Sequence, residues 1–140
     1  MLANRFLRLA VLYALFGIGL GVYMGATGQF LNRGIHVHAN LVGWVSLALM
    51  GMCYQLFPQL AAHWLARLHF WLHNLGLPLM LLGLYGLFHG QPWGEPLTGV
   101  GSLVVALAFL SFGLNVLWRL DASHATAAQP ALRGQHAASR

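Results

Sequence analysis

Residues 36–58 read HVHANLVGWVSLALMGMCYQLFP: two histidines, a long apolar run, and a closing proline. From Ile35 to Phe57 there is no Asp, Glu, Lys or Arg, and the stretch has the roughly 20 residues that an α-helix needs to cross a hydrocarbon core. Working outward, the same reading applies to Phe6–Ala26, Leu68–Phe88 and Leu97–Trp118. The sequence therefore predicts an all-α integral membrane protein, a four-transmembrane-helix bundle occupying residues 1–121, with helices at about 6–26, 35–57, 68–88 and 97–118. After Asp121 the chain turns to alanine, serine, glutamine and histidine without periodicity, and residues 122–140 are expected to form a disordered cytoplasmic tail in which His124 and His136 are solvated.

Composition agrees. The 140 residues are 59% hydrophobic and 6% charged, where a soluble domain carries about 25% charged residues. The formal charge of +5 comes from seven arginines against Glu95 and Asp121, with no lysine. Nucleic-acid binding would need a clustered basic face, whereas these arginines sit at the edges of the apolar runs. With the N-terminus inside, Arg5, Arg8, Arg67, Arg119, Arg133 and Arg140 fall on the cytoplasmic side and only Arg33 outside, a positive-inside asymmetry. Both termini are thus expected in the cytoplasm of a bacterial inner-membrane protein, with the start of the second span near the outer face. The first apolar run, from Leu9 to Ala26, exceeds the signal-peptide core of about 7 to 15 residues and is expected to be a retained helix.

Within the spans, Gly17, Gly21 and Gly25 form a four-residue stripe that allows close backbone approach in lipid. Pro58 is expected to end the second helix and Pro78 to kink the third. Cys53 is the sole cysteine, so an internal disulfide and a thiolate cluster are both excluded.

Metal chemistry here must use histidine, and there are eight histidines with almost no acids. Ionisable groups within spans are costly and usually mark function. Two residues apart on an α-helix, His36 and His38 point about 200° apart. They do not chelate one ion as an i, i+4 pair does; as ligands they serve two centres, one on each side of the helix. Neutral imidazole is an axial ligand of haem iron. Arg33, one turn before His36, has a haem propionate or a lipid phosphate as its natural partner. His69 and His73 share a face of the third helix, from which they could chelate a metal or flank a propionate, but are expected to be interfacial or packing residues; His63, in the loop before that helix, and His89, at its end, are expected to be interfacial.

The stretch quoted above, followed by LARLHFWLHNLGLPLML at 65–81, resembles the catalytic subunit of haem-copper oxidases, closest to the C-type oxidase and nitric oxide reductase branch. The shared features are His36-x-His38, Gly43-Trp44, Tyr54 with Pro58, and His69-Phe70-Trp71-Leu72. The resemblance implies that His36 and His38 ligate haems on opposite faces of the helix. The family's subunit has about twelve helices in three pseudo-equivalent groups of four, so this chain resembles one third of it. A homotrimer would rebuild the twelve-helix shape, with His36 of one subunit and His38 of the next sharing a haem b at each interface. The histidines and tyrosine that hold copper in that family have no counterpart here, which separates the chain from the oxygen-reducing centre. A b-type cytochrome that exchanges electrons with a respiratory donor, or meets oxygen or nitric oxide, is the expected function. The alternatives are a cofactor-free scaffold or accessory subunit of an oxidase, and a copper-handling protein using His36, His38, Met50 and Met52.

Overall fold

The computed structural model describes residues 2–138, with side chains over 2–119; the tail expected at 122–140 falls outside the residues with described side chains. The element order is α1 (Leu2–Thr27), α2 (Arg33–His38), a π-helical segment (Ala39–Ser46), α3 (Leu47–Leu56), α4 (Pro58–Ala62), α5 (Trp64–Phe88) and α6 (Gly94–Ala138). Helix α2, the π segment and α3 run on as one rod, Arg33–Leu56. With α1, α5 and the Gly94–Arg119 part of α6, it gives four helices long and apolar enough to cross a membrane. The protein is accordingly a multi-pass membrane protein. Each span begins or ends within a few residues of its sequence-predicted bound, because polar residues such as Asn4, Arg5 and His63 lengthen or cap helices that the apolar count alone truncates.

The reversals are built from familiar chemistry. Gly28 and Gly90 adopt φ of 67° and 68° just past α1 and α5, the left-handed conformation that only glycine enters without a Cβ penalty. At the other end Pro58 occupies the first turn of α4, where its missing N–H costs nothing. The His63 side chain then caps α5, accepting from the Leu65 amide.

Helix α1 packs along the second span and α5 along α6. The closest backbone approach is α5 to α6. A Cβ on Gly83 would strike the Thr98 backbone, and one on Gly101 the Met80 backbone. Such glycine contacts are how helices pack where lipid removes the hydrophobic drive to associate. The core has two parts. One joins Phe6, Leu47, Tyr54, Leu60 and Phe70 at the end carrying Arg5; the other joins Ile35, Ala39, Leu77, Leu81 and Leu84 toward the end carrying His36. Helix α5 continues through Pro78 without a break.

The π segment is a feature that the apolar pattern did not predict. Widening a helix to i→i+5 bonding is rare and tends to coincide with functional sites. Here the exposed carbonyls find side-chain partners: the Ser46 hydroxyl donates to Leu41 O at 2.8 Å, and His73 Nε2–H donates to Val42 O at 3.1 Å.

Candidate functional site

His36 and His38 stand in α2, immediately before the helix widens. Each ring fixes one nitrogen on a backbone carbonyl. His36 Nδ1 lies 2.7 Å from Gly17 O of α1, and His38 Nδ1 lies 2.8 Å from Gly34 O of its own helix. A carbonyl only accepts, so both Nδ1 atoms carry a proton, and in the neutral tautomer Nε2 is the nitrogen that keeps its lone pair. Neither Nε2 has a protein partner or is sealed from the surface. This is the arrangement that metal-ligating histidines adopt, one nitrogen donated to a carbonyl that sets tautomer and ring orientation, the other free to coordinate. Asn40 lies 3.4 Å from His36 Nδ1; with that nitrogen protonated, the amide's real bond is to His36 O at 2.8 Å.

The glycine stripe of α1 receives His36 and Asn40, and not His38. A Cβ on Gly21 would sit 2.8 Å from His36 Cε1, and one on Gly17 would collide with the Asn40 side chain, whereas Gly25 faces open space. Two of the three glycines thus accommodate polar side chains of α2 and the π segment rather than a bare backbone. His38 addresses no other span by hydrogen bond. Arg33, in the first turn of α2, is exposed.

The donor chemistry fits haem iron: two imidazoles with Nε2 unpartnered, in an apolar setting, with a guanidinium one turn away for a propionate. Within the chain the His36 ring is held against α1 and the His38 ring against its own helix. Neither histidine lines the apolar cleft between α1 and α5.

His69 and His73, expected to be interfacial or packing residues, are both 0% exposed and sit in the interior of the bundle. Tyr54 Oη is 3.0 Å from His69 Nδ1. His73 reaches across to Val42 O of the π segment, and the His69 and His73 rings lie edge to face with centroids 5.6 Å apart. Phe6, Phe109 and Phe112 pack on them. Asn115 Nδ2 donates to Leu60 O at 3.0 Å, tying α6 to α4. His69 Nε2, His73 Nδ1 and Asn115 Oδ1 have no partner. Burial bears out the packing role expected as one option for His69 and His73, but sequence reasoning did not join them to Tyr54. The signal was present, since His69, His73 and Tyr54 all lie inside apolar runs and Asn115 is a lone amide in the fourth.

The remaining candidates disperse. His63 caps α5, and its pKa is lowered by desolvation and by the charges of Arg119 and Arg67. His89 is exposed and stacks on Tyr85. Met50 is buried while Met52 is exposed on another side of α3, and among the described residues no three of histidine, cysteine, aspartate and glutamate gather in metal-binding geometry. No protein-family model, curated protein or solved structure matches the chain.

Proposed function

We propose that this is a haem-binding membrane protein, a b-type cytochrome in which His36 and His38 supply axial ligands from opposite sides of the second span. The observation that carries the reading is the matched state of the two rings: each Nδ1–H is committed to a carbonyl at 2.7 or 2.8 Å, and each Nε2 is left as a lone pair. Bound haem would supply one-electron chemistry, and two histidines on one iron favour electron transfer, because six-coordinate iron has no open position for a gas. Oxygen or nitric oxide would bind only where one histidine left the iron.

Two residues apart on one helix, the two rings are expected to diverge, so a shared haem would draw on two chains. The motif resemblance, the four spans and this divergence together support a homotrimer, with His36 of one subunit and His38 of the next at each interface and Arg33 toward a propionate. The positive-inside distribution supports a bacterial inner membrane with both termini in the cytoplasm, and a respiratory electron donor as partner.

Optical spectra of the purified protein, oxidised and reduced, with and without carbon monoxide, test this on wild type and on His36→Ala and His38→Ala. A Soret band lost in either variant is expected, with no carbon monoxide shift in wild type. Absence of any Soret band after expression with adequate haem leaves the scaffold reading. Copper without iron in metal analysis leaves the copper-handling one. Haem retained by monomeric particles would overturn the trimer.

A further inference from the structure

A second site runs along the α1–α5 groove, away from the histidines. Arg5 lies in the first turn of α1 and Arg67 in the first turn of α5. Together with Trp71 and the Ala61–Ala62 end of α4 they line a cleft of about 320 Å³ at one end of the bundle. Two helix N-termini converge there, neither with an acidic residue in its first turn. The chain's acids are Glu95, which opens α6 at the opposite end, and Asp121, whose side chain lies outside the described residues. Two guanidinium groups and the positive ends of two helices make this cleft a place for an anion, and a phosphate is what paired arginines recognise best.

Further along the same two helices lies a second, largely apolar cleft. Leu9, Leu12 and Phe16 of α1 face Pro78, Leu82 and Tyr85 of α5 across a cleft of about 550 Å³. Residues 5, 9, 12 and 16 recur at helical spacing on one face of α1, and 67, 71, 75, 78 and 82 do so on α5. Trp71, Leu75 and Leu82 are exposed along that face. At 1.5 Å per residue, Phe16 lies about 16 Å along the axis from Arg5, and Pro78 about 16 Å from Arg67. That is about half of a 30 Å hydrocarbon core, the depth of one acyl chain.

We infer that the α1–α5 groove is a specific site for one acidic glycerophospholipid of the leaflet at the Arg5 end, its phosphate on Arg5 and Arg67 and an acyl chain along Leu12, Phe16, Pro78 and Leu82. Trp71 lines the arginine cleft one turn beyond Arg67, and an indole there suits the membrane interface. The inference is independent of haem.

Native mass spectrometry of the detergent-purified chain, with added phosphatidylglycerol, phosphatidylcholine or inorganic phosphate, tests it. One phosphatidylglycerol per chain is expected to survive, with phosphatidylcholine held about tenfold less and millimolar phosphate failing to displace the lipid. Arg5→Gln combined with Arg67→Gln lowers phosphatidylglycerol retention about tenfold, Leu12→Trp lowers it by filling the groove, and Arg8→Gln, an exposed arginine outside the cleft, leaves it unchanged. Equal retention of the two lipids by wild type overturns the site without recourse to any variant. So does displacement by free phosphate, which would make it a simple anion cleft. So too does retention that is lost whenever chains associate, which would make the groove a contact between copies.

Discussion

Two pairs of histidines on neighbouring spans are treated in opposite ways. His36 and His38 each spend one nitrogen on a carbonyl and keep the other unsealed. His69 and His73 are enclosed at 0% exposure, His69 Nδ1 paired with Tyr54 and His73 Nε2 with Val42 O, while their remaining nitrogens are buried without a partner among aromatic rings. The same side chain therefore keeps an unsealed nitrogen at one level of the bundle and acts as a structural tie at another. What differs is whether the lone pair has somewhere to go, and that depends on neighbouring helices rather than on the residue.

The largest expected difference between the pairs is in haem retention. His36→Ala or His38→Ala should weaken haem binding by more than about 100-fold, since loss of mere supporting contacts already costs 10- to 100-fold, while His73→Leu should leave the Soret band in place. If His73→Leu loses haem as completely as His36→Ala, the contrast fails. Next in size is stability. His73→Leu strips Val42 O of its donor inside the bundle and should cost about 1–3 kcal/mol, read from reversible unfolding in detergent.

A third comparison sharpens the ligand side. Gly21→Ala places a methyl 2.8 Å from His36 Cε1, forcing the ring to shift, at about 1–3 kcal/mol for an overpacked site. Its haem affinity should fall. Gly25→Ala, with open space around it, should be neutral or gain up to about 1 kcal/mol in helix propensity. Equal behaviour of the two glycine variants would mean that the stripe does not receive His36.

The smallest effect is at His63. Its pKa lies below the ordinary histidine value of 6.5, so the neutral ring prevails in the folded protein and its Nδ1 can accept from Leu65 N. The cap is present above that ordinary value and is lost as pH falls through the lowered folded pKa. The His63 ring resonances should titrate with a midpoint below 6.5; a midpoint above it would remove the lowering attributed to desolvation, Arg119 and Arg67.

Much of the frame was legible in the residues. Four apolar runs set four spans, Pro58 and the glycines set the reversals, and the scarcity of acids made His36 and His38 conspicuous. The burial of His69 and His73 was hidden, because an i, i+4 pair looks the same at an interface and in a core until the packing of α1 and α6 is known. The receiving role of Gly17 and Gly21 was hidden for the same reason, since glycine spacing says that something approaches and not what. The π segment was invisible too: Ala39–Ser46 is as apolar as the α-helix on either side, and its bonding is fixed by partners such as Ser46 and His73.

The looser winding of Ala39–Ser46 has a consequence for the whole second span. Each residue of a π-turn advances less than the 100° of an α-helix, so eight of them put the two ends of the rod out of phase. The face that carries His36 at one end is thus uncoupled from the face that carries Tyr54 at the other. A one-residue deletion within this segment would let the rod return toward regular α-winding and turn one end against the other. Either the histidines or the tyrosine would then leave their neighbours, so the length of the rod between them is itself under structural constraint.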